Sequence, residues 1–492
     1  MTDAQLTARS LELLLGTWRT GGAGYQALAD RIRLLVLDGR IPIGTRLPAE
    51  RDLAARLELS RTTVASAYRQ LREGGFIDSV RGSGSIARLP GKALTLPTAG
   101  GEGMLDFTKA SLPAASPVAA AARAAADELP RFLSKPGYDP VGLPHLREAI
   151  AARYTLRGLP TTPDQILVTV GAQQAIALIA RTFLSRGDRV AIEVPTYVHA
   201  IEAIRLAGAR LVPLTVTVPE EGPHRIGDEP DGWDAEAIEQ TFRRANPSLA
   251  YLIPDFHNPT GASMSPQTRE RVLAAAAAHG AIVVADETTA ELDIDRPGEY
   301  LPMPRYADAA STGAPVILIG SASKMLWGGL RIGWIRAARS HIQRLIAAKP
   351  ATDLGTPVLE QLVVAQLVPQ LDAIKEERRE QLRQGRESVH RLVGERFPEW
   401  SVPLAHGGLT AWVGLGAPVS SALALAARSH GLLIAAGPRF GIDGAFERFV
   451  RIPITYTAEE YERAFTALSG AWAVAANEPA PYFDAGSLPS VV

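Results

Sequence analysis

Apolar residues recur at a helical period from Tyr25 through Leu28, Ile32 and Leu35, and this stripe is predicted to stop at Asp38-Gly39. A second helix is expected with Pro48 in its first turn and Leu53 and Leu57 turned inward. In a third, Ser60 is placed to cap the N-terminus, and Val64, Ala67, Tyr68 and Leu71 form a buried stripe. Arg61, Thr62, Ser66 and Arg69 are left on the exposed face, and Gly74-Gly75 ends the helix. Two short strands are expected around Arg81-Gly82-Ser83-Gly84-Ser85, a tight glycine hairpin of the kind called a wing. Residues 1–88 thus read as a winged helix-turn-helix domain.

The pattern changes further along. Short apolar runs at Gln165–Val170, Arg189–Val194, Ala281–Ala285 and Val316–Ile319 alternate with alanine-rich helical stretches such as 172–184 and 267–279. That alternation predicts an α/β body, 106–475, with a mostly parallel sheet wrapped by helices. Residues 89–105 are rich in Pro and Gly without periodicity and read as a linker; 476–492 read as a loose polar tail.

At 492 residues, two or three domains are expected. The absence of cysteine excludes disulfides and thiolate metal sites and fits a reducing cytosol; no metal site is expected. The N-terminus lacks a signal-peptide layout, and no apolar run approaches the roughly 20 residues that span a bilayer. The expectation is therefore a cytoplasmic protein without membrane contact, nucleoid-associated when bound to DNA. Residues 1–88 hold thirteen Arg against nine Asp plus Glu, or +4, which leaves −5 of the net −1 for the rest. A basic head on an acidic body is the asymmetry of a DNA-binding domain attached to something else.

In the head, Arg61 and Thr62 at the start of the third helix are the residues expected to reach bases or phosphates, with the wing on the backbone. The alternative is a small packing module of three helices. The series Leu-Pro-Ala-Glu-Arg-Asp-Leu-Ala (47–54), Ser-Arg-Thr-Thr-Val (60–64), Ala-Tyr-Arg-Gln-Leu (67–71) and the glycine wing resembles the GntR winged-helix family. That resemblance implies DNA contacts from Arg51, Arg61, Thr62, Thr63 and Gly84.

In the body, unusual residues fall after predicted strands, where ligands gather in such sheets. Gly171-Ala172-Gln173-Gln174 opens a helix whose free N–H groups suit a phosphate, Asp286 follows Ile-Val-Val-Ala, and Ser321, Ser323 and Lys324 follow Val-Ile-Leu-Ile-Gly, with Arg331 seven residues on. Only six of the 51 basic residues are lysine, so a lysine kept at this place invites a chemical reason. A lysine beside hydroxyls, an arginine, a phosphate cradle and a carboxylate is what a pyridoxal phosphate pocket requires. Arginine could not replace it, because it stays protonated. Taken singly, a strand-end lysine is more often a solvated surface residue and a strand-end aspartate a helix cap.

Together and in order, Tyr138-Asp139-Pro140 with Gly142, Asn258-Pro259-Thr260-Gly261, Asp286, Ser321-Ala-Ser-Lys324 and Arg331-Ile-Gly333 resemble the fold-type I aminotransferases over most of 106–475. The resemblance implies Lys324 as the Schiff-base lysine, Asp286 on the pyridine nitrogen, Asn258 on the ring hydroxyl and Tyr197 stacked on the ring. It also implies Gly171, Ala172, Gln173, Ser321, Ser323 and Arg331 around the phosphate. Tyr138 matches a position that reaches the neighbouring subunit's phosphate, which implies a homodimer. Arg451 matches the arginine that clamps a substrate carboxylate; its bland reading is a strand-edge arginine paired with an acid such as Glu447. Aminotransferases usually carry a tyrosine two or three residues after the aspartate, and here Thr288 and Thr289 stand instead, which makes efficient transamination less expected. His257 reads as a packed histidine and Lys375–Arg379 as a solvated helix face.

A GntR head before an aminotransferase-like body resembles the MocR family of bacterial transcription regulators. Leu-Glu-Leu-Leu-Leu-Gly-Thr-Trp (11–18) and Leu-Asp-Gly-Arg-Ile-Pro (37–42) further resemble its YczR subgroup. The implied function is a DNA-binding regulator whose effector is pyridoxal phosphate, alone or joined to an amino compound held by Arg451. The alternatives are a working aminotransferase tethered to DNA and a cofactor-free dimerisation scaffold.

Overall fold

The computed structural model describes residues 6–15, 18, 24–37, 41, 45–80, 84–88, 104–217, 231–298, 300–307, 313–442 and 445–475. Asp38-Gly39, the hairpin tip 81–83, the linker up to 103, the tail 476–492 and parts of the 11–18 and 37–42 motifs lie outside them.

The head contains helices α1 (Ala8–Leu15), α2 (Gly24–Leu37), α3 (Glu50–Leu57) and α4 (Arg61–Glu73), then strands β1 (Ile77–Val80) and β2 (Gly84–Ala87). Pro48 precedes α3 rather than entering its first turn, with Ala49 in extended geometry between them. Its carbonyl is used instead to accept the buried Tyr68 hydroxyl at 2.9 Å, which fastens α4 to the entry of α3. Ser60 caps α4 by accepting the Thr63 N–H at 3.0 Å, and Val64, Ala67, Tyr68 and Leu71 are buried as their spacing predicts. Ser66 is half-buried rather than exposed. β1 and β2 pair antiparallel from Ile77↔Ala87 to Val80↔Gly84, forming the wing. Ser60→Ala is expected to cost about 1 kcal/mol locally. In the full chain this reads as roughly five-fold faster amide exchange along the first turns of α4.

The body opens with β3 (Leu105–Asp106). Its main sheet uses β4 (Ile166–Thr169), β5 (Arg189–Val194), β6 (Arg210–Thr215), β7 (Leu249–Leu252), β8 (Ile282–Asp286), β9 (Val316–Ser321) and β10 (Gly333–Arg336). The order is β4-β10-β9-β8-β7-β5-β6, with only β10 antiparallel to its neighbours. Apart from the edge strand β6, which is largely exposed or half-buried, these strands are almost wholly buried, as a sheet covered on both faces by helices requires. A smaller antiparallel sheet joins β11 (Thr410–Gly414), β14 (Phe449–Pro453) and β13 (Ala435–Ala436), and β12 (Leu432–Leu433) pairs parallel with β3. Among the described residues no helix is long and apolar enough to cross a membrane.

One surface expectation fails inside the helix Leu371–Arg396. Arg378 is buried, and its guanidinium donates to the carbonyls of Met325, Leu326 and Pro113. A run of charges looks solvated in sequence, but one turn of this helix faces main-chain carbonyls of distant segments, which the buried guanidinium satisfies.

Candidate functional site

The carboxyl ends of β4, β5, β7, β8 and β9 open on one cavity of about 330 Å³. Ala172, Gln173, Tyr197, Asn258, Asp286, Ser321, Ser323, Lys324, Arg331 and Arg451 all line it, so the structure brings together ten of the body residues singled out by sequence.

Lys324 sits on the short helix Ala322–Met325, directly after β9. Its Nζ donates to the Ala110 carbonyl at 3.0 Å. Removal from water, reinforced by the charges of Arg451 and Arg331 and opposed by Asp286, lowers its pKa to about 8. About a tenth of the amine is therefore neutral and nucleophilic at pH 7, far more than for an ordinary lysine. Asp286, the last residue of β8, is buried, and burial pushes its carboxyl up while two donors resist. These are the Tyr251 hydroxyl at 2.7 Å and the Thr288 N–H at 3.0 Å. Tyr197 ends the loop after β5, and burial followed by the Asp286 charge raises its phenol to about 12, so the ring stays neutral.

Gly171 starts the helix Gly171–Phe183 at φ 77°, a conformation that disfavours any other residue. A Cβ there would lie 2.6 Å from the Arg331 guanidinium, and a Cβ on Gly333 would lie 2.8 Å from the Ala172 nitrogen. Both glycines thus clear the helix N-terminus. Facing this cradle, the buried Ser323 Oγ and Gln173 Oε1 have no hydrogen-bond partner among the described residues. Unsatisfied buried polar atoms are costly, and their convergence at a helix N-terminus beside an arginine marks a place for an anion.

Arg451, in the middle of β14, is fully buried. It donates to the Thr108 carbonyl and to Asn258 Oδ1 at 3.3 Å, its guanidinium lies 5.0 Å from the Phe440 ring centre, and its Nε has no partner among the described residues. Burial lowers its pKa to about 10. The pairing with Glu447 does not form; Glu447 instead accepts from Ser420 and Ser421 and pairs with Arg31. A buried cation with no carboxylate partner among the described residues is suited to receive one.

Thr289, one of the two threonines where a tyrosine is usual, spends its hydroxyl on the Asp255 carbonyl at 2.8 Å. His257 is packed: Nδ1 lies 2.9 Å from Thr260 Oγ1 and Nε2 3.3 Å from Glu193. Tyr138 does not join the cavity of its own chain and is 72% exposed. In the head, Arg51, Arg61 and Thr62 are exposed, Thr63 is half-buried with its hydroxyl 2.7 Å from Ser60 Oγ, and Gly84 begins β2 at φ 82°. Arg61 has no ion-pair partner among the described residues, so its charge is available. Sequence reasoning missed Tyr251 and the carbonyls of Thr108 and Ala110. A hydroxyl-bearing ring late in an otherwise apolar strand next to that of Asp286 was a usable signal for the first; main-chain acceptors leave none.

The aminotransferase class I and II family matches residues 105–468, and the gntR family of bacterial regulatory proteins matches residues 24–86. The chain is 27% identical over 470 residues to the uncharacterized HTH-type transcriptional regulator YdfD of Bacillus subtilis, covering 89% of this chain and 93% of that one. It is 30% identical over 346 residues to the probable rhizopine catabolism regulatory protein MocR of Rhizobium meliloti, covering 63% and 64%. Among solved structures, it superposes with a TM-score of 0.65 and 30% identity on LysN, an alpha-aminoadipate aminotransferase of Thermus thermophilus complexed with N-(5'-phosphopyridoxyl)-L-leucine, covering 76% of this chain and 94% of LysN. The chain therefore belongs to the aminotransferase class I and II family, and with a gntR-type helix-turn-helix head ahead of that body it has the layout of MocR-type regulators.

Proposed function

We propose that the chain is a transcription regulator in which residues 1–88 bind double-stranded DNA, residues 106–475 hold pyridoxal 5'-phosphate at Lys324, and occupancy of the body sets the affinity of the head. One observation carries this reading. A capped helix presenting Arg61 and Thr62 to solvent shares a chain with a cavity where a lysine of lowered pKa, a buried carboxylate and an anion cradle with two unpartnered polar atoms converge.

When bound, the cofactor supplies an aldehyde that joins an amine covalently. The protein does the rest. Gly171, Ala172, Gln173, Ser321, Ser323 and Arg331 would hold the phosphate, and Tyr197 would cover one ring face. Asp286, kept in place by Tyr251 and Thr288, would hold the proton on the ring nitrogen. Asn258 would serve the ring hydroxyl without a tyrosine beside it, since Thr289 is committed to Asp255. That loss weighs against efficient transamination and favours a body used for sensing. Arg451 would take the carboxylate of an amino compound acting as effector.

Tyr138, exposed on its own chain, would reach the phosphate of a second copy, and the regulator would then act as a homodimer whose two heads read an operator with two half-sites. A ligand shifts such a system only by binding its two states unequally; a coupling of about 1–3 kcal/mol changes operator occupancy at least several-fold.

Borohydride reduction of the protein loaded with pyridoxal phosphate, followed by peptide mapping, tests the cofactor assignment; label on the Lys324 peptide supports it and label elsewhere overturns it. Because the neutral amine attacks, the attachment rate should rise with pH and level off above about 8. A rise continuing to the ordinary lysine value of about 10.4 would show that Lys324 is not desolvated as described.

A further inference from the structure

The head is not isolated from the body. Leu425, on the body helix Ser420–Ser429, is part of the same buried cluster as Leu11, Leu15, Leu28, Ile32 and Leu35 of the head. Beside it, Arg31 of α2 reaches Glu447 at 3.5 Å, with side chains only 17% and 14% exposed. Both partners are held in position. Arg31 Nε donates to the Leu15 carbonyl at 2.9 Å, and Glu447 accepts from the hydroxyls of Ser420 and Ser421 and from the Ser421 N–H at 3.0 Å. Two anchored, largely desolvated charges resist separation more than a surface pair does.

Glu447 also lies just before β14, the strand of Arg451. The preceding residue, Phe446, has φ 77°, a strained conformation for a side chain of that size. Its ring packs edge-on against Phe449 and Trp412, and Trp412 packs against Phe440. Phe440 lies under the Arg451 guanidinium, and its carbonyl accepts the Thr196 N–H at 2.9 Å, next to Tyr197. One aromatic cluster therefore touches the pocket at Arg451, holds the chain at Thr196 next to Tyr197, and reaches the head contact at Phe446-Glu447.

We infer that the Arg31–Glu447 pair is a latch that holds the head on the body, and that a carboxylate taken up by Arg451 loosens it through the Phe440–Trp412–Phe446 cluster. The inference rests on the regulator reading and adds how the pocket would reach the head. A ligand that draws the guanidinium from Phe440 removes the support under the cluster. Relaxation of Phe446 then turns Glu447 away from Arg31, and the head leaves its seat.

In the full-length protein with the pair intact, N-(5'-phosphopyridoxyl)-L-leucine should speed amide exchange along α2 and along the helix Ser420–Ser429 at least about five-fold. Unchanged exchange at saturating probe overturns the latch, whatever DNA binding shows. In parallel, Glu447→Gln should bind the probe as wild type does, but its affinity for DNA selected from a random pool should change less than about two-fold on loading, against at least about five-fold for wild type. Equal shifts in the two proteins refute the latch and leave the regulator standing. No shift in wild type, with exchange along α2 still speeded by the probe, refutes the regulator reading instead.

Discussion

Lys324→Ala is expected to abolish all borohydride-fixed cofactor while leaving the fold and the ligand-free DNA affinity within about two-fold of wild type. The side chain makes one hydrogen bond, to Ala110, and lines a cavity rather than packing the core, so little structure depends on it. What depends on it is the covalent bond, for which no other lysine among the described residues lines the cavity: Lys349 is buried against Pro140 and Asp353, and Lys109 pairs with Asp106 on the surface. Peptide mapping of reduced protein and a thermal melt on the same sample check both halves. A melt lowered by many degrees would make the lysine structural.

Asp255→Ala is expected to be the most destabilising single change near the site, by about 3–5 kcal/mol. The carboxylate is buried and accepts from Arg269 at 2.9 and 3.2 Å and from Arg296 at 2.5 Å. Removing it strands two cations in the interior. Burial alone would push this carboxyl up, but Arg269 and Arg296 together hold it below the usual range. A group with a lowered folded pKa contributes stability above its unfolded value of about 3.9, and that contribution is lost as pH falls through the folded value. The wild type should therefore lose this part of its stability only in acid below about pH 4, whereas the variant should be weakened equally at neutral and mildly acidic pH. Denaturant midpoints across that range decide it. A backbone shift at 255 would also reach the cofactor site, because the main-chain carbonyl there accepts from Thr289.

What could be read from the chain follows the range of the interactions involved. The cap, buried stripe and stop of α4 depend on neighbours within a turn or two, and the sequence carries them directly. Asp286, Ser321 and Lys324 were recognisable because strand ends are local events and the sheet rule says what gathers there. Tyr251 sits inside a strand whose apolar company hides the hydroxyl's purpose, which appears only when β7 and β8 lie side by side. Arg378 looked solvated until its helix met the carbonyls of Pro113, Met325 and Leu326. Glu447, which the sequence offered only as the bland alternative partner of Arg451, pairs instead with Arg31, a contact between distant parts of the chain that spacing does not reveal. Pro48 shows the same limit at short range: its ring suits a first helical turn, yet its carbonyl is claimed by Tyr68, and the helix starts at Glu50.

The central claim is that filling the body changes how the head binds DNA. The most direct measurement is the dissociation constant of the full chain for a DNA duplex selected from a random pool, taken across a titration with pyridoxal phosphate and an amino acid while absorbance follows uptake at Lys324. The account predicts a change of at least about five-fold that tracks uptake and is absent in Lys324→Ala. Saturation of Lys324 with no change in DNA affinity would contradict it.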